Sequence, residues 1–211
     1  MKFFSFIAVF SSMFFFSLFS FSQSFEGEIG FTKKTLNETY NYRYYVKNEN
    51  VRIEEFDDEK KLIGIVLVNI NSYDAILINI DRKLFVDLEK NNVKLTKIQG
   101  MDIKNSSSMK KIAGYDCKEV VVKNKKENNE VVYYNHKANY SFFKGLLITL
   151  NRKDLASLYF QQIPDINDVF PFMAIEKDAS GKVLTTFEVT DVVSKKVDDK
   201  LFEIPKGYSK L

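Results

Sequence analysis

The sequence predicts a mainly β protein of the α+β kind: a curved antiparallel sheet, or open half-barrel, under a helical lid. Three observations carry that expectation. Apolar and polar residues alternate with period two through much of residues 25–137. The turns between many of these runs are too short for parallel crossovers, which need about a dozen residues or more. One stretch alone, about 140–163, sets apolar side chains at helical spacing.

Residues 25–31 open the β pattern, alternating large apolar with small or polar side chains. Tyr42, Tyr44 and Val46 then alternate with Arg43, Tyr45 and Lys47, as a half-buried strand requires. Asn48-Glu49-Asn50 supplies turn chemistry, and Val51, Ile53 and Glu55 begin the returning strand. Residues 57–61 form a charged loop tip. Strands at 63–70, 75–80 and 83–88 follow, parted by Asn71-Ser72 and Asp81-Arg82, and complete a meander. Residues 91–111 are polar, contain Ser106-Ser107-Ser108, and read as an exposed loop or insertion. A further hairpin spans 112–123 and 130–137.

The helical stretch brings Phe142, Phe143, Leu146, Leu147 and Leu150 to one face. Leu155, Leu158 and Tyr159 continue it beyond Asn151-Arg152-Lys153-Asp154. Ser141 and Asp154 are suited to capping two helices, although one bent helix fits as well. Pro164 ends the stretch. Strands resume at 169–176 and 183–193 around a turn at Ser180-Gly181, and a final turn leads into 201–208. The apolar helix face needs a partner, and the concave face of the sheet is the only large one. No repeat or linker divides the chain, so residues 23–211 are expected to form one open-barrel domain.

Residues 1–22 read as a secretory signal. Lys2 is their only charge, nine of the chain's 20 Phe fall among them, and Ser20-Phe21-Ser22 offers a small-residue cleavage site before Gln23. A single membrane anchor is the competing reading, since about 20 apolar residues suffice to span. Interior serines and the lack of a following basic cluster favour cleavage. The expected location is therefore periplasmic or secreted, in a Gram-negative envelope, with no stable membrane span after cleavage.

Composition narrows the function. The chain of 211 residues has a net charge of +3, which argues against a nucleic-acid binder. One Cys excludes an internal disulfide, so stability must come from a packed core. Cys117 and His136 are the single copies of their types, too few for a zinc cluster, and their strands are expected to be neighbours. A Cys–His nucleophile would need a lowered thiol pKa and a third, orienting group. The pattern shows neither. Cys117 reads as a small buried residue and His136 as a strand-end surface residue. Asp57-Asp58-Glu59 lacks the spacing and glycine of a calcium loop. No catalytic residue, metal site or cofactor is expected.

Four segments carry a resemblance. They are Phe25-x-Gly27, Tyr44-Tyr45-Val46-Lys47 with Val51-Arg52-Ile53-Glu54, Lys111-Ile112-Ala113-Gly114-Tyr115-x-Cys117, and Phe202-x-Ile204-Pro205-x-Gly207-Tyr208. In order and spacing the chain resembles the secreted bacterial family of domain of unknown function 4412, similar in architecture to the LolA/LolB-like lipoprotein carriers. It departs from the pattern at Tyr133-Tyr134, where a Trp is common, and has no LolB-type lipid anchor. The resemblance implies a half-open barrel with a helical lid over an apolar concavity. It carries no demonstrated activity.

The sequence leaves two roles open for the stripe of Phe142, Phe143, Leu146, Leu147, Leu150, Leu155, Leu158 and Tyr159. It is plain core, or it is a lid whose inner face shares an acyl-chain cavity with the strands. The leading expectation is a non-enzymatic carrier holding the acyl chains of a lipid or lipoprotein, with basic residues at the rim meeting a head group. The alternative is an envelope protein-interaction module with a fully packed core and no ligand.

Overall fold

The computed structural model describes residues 24–90 and 97–211. The expected signal segment, and residues 91–96 of the expected loop, lie outside the described residues. Among the described residues twelve strands form one sheet in the order β12-β6-β5-β4-β3-β2-β1-β11-β10-β9-β8-β7. The left half is a meander: β1 (Gly27–Lys34), β2 (Thr39–Lys47), β3 (Asn50–Phe56), β4 (Leu62–Asn69), β5 (Asp74–Asn79) and β6 (Leu84–Asp87). The right half contains β7 (Met101–Ile112), β8 (Tyr115–Asn124), β9 (Asn129–Lys137), β10 (Val169–Lys177) and β11 (Val183–Ser194). These strands pair antiparallel with their neighbours; only the short β12 (Ser209–Lys210) lies parallel, beside β6.

The two halves meet where β1 pairs with β11, with Glu28 opposite Val193. Gly27 is required at that join. Its φ is +153°, and an added Cβ would stand 2.1 Å from the Val193 carbonyl oxygen. This places the Phe25-x-Gly27 motif at the centre of the sheet.

Residues 101–112 correct the expectation of an exposed loop: they are strand β7. The Ala113-Gly114 turn joins β7 to β8 with both residues at positive φ, 47° and 87°, the backbone of a tight two-residue hairpin. β7 lies at the sheet edge and is mostly exposed, with an irregular register between Asn105 and Met109. Little of either face is buried, so no apolar alternation marks the strand. Its lysines and its bulge suit an edge that must not recruit another strand.

α1 (Phe142–Thr149) and α2 (Leu155–Phe160) cross the concave face, α1 against β4 and α2 against β9 and β10. They are two helices rather than one bent one. Gly145 lets α1 approach closely, since an added Cβ would lie 3.1 Å from the Ile70 Cβ. Aromatic rings fill one end of the concavity, with Phe143 and Phe170 edge to face at 4.5 Å between centroids. On the convex face a smaller core of Ile65, Leu67 and Ile78 is covered by Ile204 and Tyr208. The C-terminal motif is thus a strap: a 3-10 turn at Asp199–Phe202, an extended crossing, then β12.

Candidate functional site

A cavity of about 330 Å³ remains between the helices and the concave face. Phe31, Tyr42, Tyr44 and Phe187 are part of its floor, and Phe143, Leu146, Leu147 and Leu150 are part of its roof. The floor follows from strand alternation. Phe31 stands opposite Tyr42 across the β1–β2 ladder, and their rings stack at 5.0 Å. Tyr44, two residues further along β2, meets the Phe31 ring edge-on at 4.7 Å.

The eight stripe residues divide. Phe143, Leu146, Leu147 and Leu150 line the cavity. Phe142 is buried in the aromatic cluster with Phe25, Tyr140 and Phe170. Tyr159 is buried and donates its hydroxyl to Asn129 Oδ1 at 2.5 Å. Leu155 and Leu158 pack half-buried against the main core, outside the cavity wall.

Polar residues collect at the helix junction. Asn151, at φ +46°, turns the chain at the end of α1 as a left-handed C-terminal residue does. That turn delivers Arg152 and Asp154 to the cavity wall. Asp154 caps α2, accepting the Ser157 N–H at 3.1 Å and the Ser157 hydroxyl at 2.9 Å. Arg152 Nε donates to Asp154 Oδ2 at 2.9 Å. Burial opposes ionisation of Asp154, yet Arg152 and Ser157 outweigh it and hold the carboxyl below its ordinary pKa. Burial likewise opposes the charge on Arg152. Asp154, with Tyr44 and Tyr42 adding to it, reverses the balance and raises its pKa. Ser141, the other expected cap, makes no side-chain cap bond.

The floor holds two carboxylates. Glu55 Oε1 accepts the Tyr42 hydroxyl at 3.3 Å, and Glu176 Oε1 accepts the Ala156 N–H at 2.8 Å. Burial pushes the Tyr42 hydroxyl well up, with Glu55 adding to the shift, and pushes Tyr44 up to about 12. The sequence marked Asp154 as a helix cap, which it is, but not as part of a cavity wall. Arg152 read as part of a linker between helices and Glu176 as one more residue of a strand.

Cys117 is fully buried on β8, and burial pushes its thiol up to about 11. His136 lies on the adjacent strand β9. Its Nδ1 is 3.0 Å from the Asp116 carbonyl, and its ring packs on Tyr115 and Phe172. Among the described residues no group of three or more His, Cys, Asp or Glu could hold a metal ion. Asp57 Oδ1 is occupied by the Glu59 and Lys61 N–H groups of its own turn.

An unclosed, curved antiparallel sheet with helices across its concave face places the molecule among open-barrel α+β proteins. The chain belongs to the family described as Domain of unknown function (DUF4412), whose model matches residues 25–208. No curated protein matches it in sequence.

Among solved structures, an uncharacterized conserved protein from Thermus thermophilus is similar at a TM-score of 0.55. The identity is 11%, over 90% of this chain and 91% of that one. MucB in the Pseudomonas aeruginosa MucA/MucB complex is similar at a TM-score of 0.51 and 9% identity, over 83% of this chain and 54% of the matched one. This chain therefore spans about half of that neighbour. At these identities the likeness is one of fold. Among the described residues no helix is long and apolar enough to cross a membrane.

Proposed function

We propose that this protein is an exported, non-enzymatic carrier that holds the apolar part of a lipid or lipoprotein between sheet and helices. The single supporting observation is the mainly apolar cavity of about 330 Å³ between floor and roof. An acyl chain entering it leaves water, which contributes about 0.8 kcal/mol per buried methylene. No bond is made or broken, so release reverses capture. The raised thiol of Cys117 and the packed ring of His136 favour a binding role over nucleophilic chemistry. Export rests on residues 1–22, and amino-terminal sequencing of protein recovered from outside the cytoplasm should begin at Gln23.

The test is native mass spectrometry of protein from its own host, with extraction of bound lipid, alongside titration with a fluorescent fatty acid. A protein that arrives empty and leaves the probe unbound would falsify the carrier reading.

A second reading is supported by the MucB likeness, because that neighbour was solved with MucA. Here the sheet would serve an envelope protein partner. Recovery of one stoichiometric partner, held equally by protein with a blocked cavity, would favour it.

A further inference from the structure

We infer that the cavity takes a single-chain amphiphile with an anionic head group, its tail among Phe31, Leu146 and Leu150 and its head against Arg152 and Lys33. This rests on the carrier reading above and narrows it.

Capacity sets the number of chains. At about 330 Å³ the cavity is at the small end of ligand pockets, which run from roughly 300 to 1,000 Å³. A pocket at the low end of that range suits one acyl chain, whereas a two-chain lipid calls for a larger one.

Charge sets the head group, and a simple count points the wrong way. Lys33 and Arg152 line the wall with Glu55, Asp154 and Glu176, so acids outnumber bases. Every acid, however, already holds a donor. Glu176 holds the Ala156 N–H, Glu55 holds the Tyr42 hydroxyl, and Asp154 holds Ser157 and Arg152. The donors are less committed. Among the described residues, Arg152 bonds only through Nε, which leaves both of its terminal nitrogens unpaired. The Lys33 ammonium and the Tyr44 hydroxyl, both on the wall, also have no partner among the described residues. A guanidinium edge suits a carboxylate or phosphate, which it can grip with two parallel bonds. Polar wall residues therefore surround the head, while Phe31, Leu146 and Leu150 receive the tail.

The test is displacement of N-phenyl-1-naphthylamine, a neutral fluorescent probe, by ligands sharing a decyl chain: decanoate, decyl phosphate, 1-decanol, decylammonium and didecyl phosphate. Decanoate or decyl phosphate should compete about tenfold better than 1-decanol, the margin expected of one charge-assisted grip. Whichever anion is favoured distinguishes a fatty-acid from a lysophospholipid source. The acid-to-alcohol ratio should fall towards unity in Arg152→Gln. It should also fall in Lys33→Gln, which breaks no ion pair and so guards against a folding defect in the first variant.

Equal competition by the alcohol, or stronger competition by decylammonium, overturns the anionic head while leaving the carrier reading intact. Didecyl phosphate competing as well as decyl phosphate overturns the single chain. If no decyl compound displaces the probe and the probe itself stays unbound, the carrier reading falls as well.

Discussion

Glu176 reaches up from β10 to accept the backbone N–H of Ala156 at 2.8 Å, tying the first turn of α2 to the floor of the sheet. The Ala156 carbonyl in turn accepts the Tyr133 hydroxyl at 2.6 Å. One residue of the roof is thus held through both of its backbone groups. Tyr133→Phe should cost about 1 kcal/mol in urea unfolding, the net worth of one such hydrogen bond between floor and roof. Hydrogen exchange should quicken in α2 before it does in β9 or β10. Unchanged exchange in α2 would show that packing alone holds the helix.

Blocking the cavity should separate binding from folding. Ala174 is buried on the floor, directly opposite Tyr133 in the β9–β10 ladder. The chain contains no Trp, so Ala174→Trp fills the space and adds a unique fluorophore. Its emission should be blue-shifted, and fatty-acid affinity should drop at least about tenfold, with overpacking costing about 1–3 kcal/mol. Retained affinity would move the binding site elsewhere.

The convex face carries a buried ion pair. Arg52 Nη2 and Glu54 Oε1 are 2.7 Å apart, both residues are 8% exposed, and Arg52 Nη1 donates to the Leu201 carbonyl at 2.9 Å. Arg52→Ala strands the Glu54 carboxylate and should cost about 3–5 kcal/mol. The double variant Arg52→Met with Glu54→Leu should recover most of that loss. A double variant as unstable as the single one would shift the cause to the lost strap contact at Leu201.

Alkaline pH should destabilise the fold. Burial pushes the Cys117 thiol from an ordinary 9.0 up to about 11 and the Tyr44 hydroxyl from 10.0 up to about 12. Each stays neutral in the fold at a pH where the unfolded chain already ionises it, so rising pH favours unfolding. This contribution is complete below about pH 9 and is lost as pH climbs through about 11 to 12. Urea midpoints should decline across that window, and Cys117→Ala should flatten the lower part. Parallel curves for the two proteins would rule out the thiol as a source.

The sequence made the meander legible because Tyr42, Tyr44 and Val46 bury one face of β2 in step with Phe31 and Ile29 on β1. The helix stripe was legible for the same reason, since Leu146 and Leu147 must leave water. β7 was not: its residues around 104–111 are mostly solvated, so period two has no apolar contrast to write with. The polar wall was hidden differently. Glu176 belongs to a strand and Ala156 to a helix twenty residues earlier, and their bond exists only once the roof has settled. Asn151 did carry a local sign, an asparagine just after an apolar run, of the left-handed turn that sets Arg152 in place.

The join between β1 and β11 has a consequence for synthesis. Glu28 pairs with Val193, so the centre of the sheet is made from the two ends of the polypeptide rather than from neighbours. Each meander can zip as it leaves the ribosome, but the seam must wait until nearly the whole chain has emerged. Such distant pairing is slow to nucleate. Until then both flanks of the seam are unpaired strand edges, open to pairing with another chain.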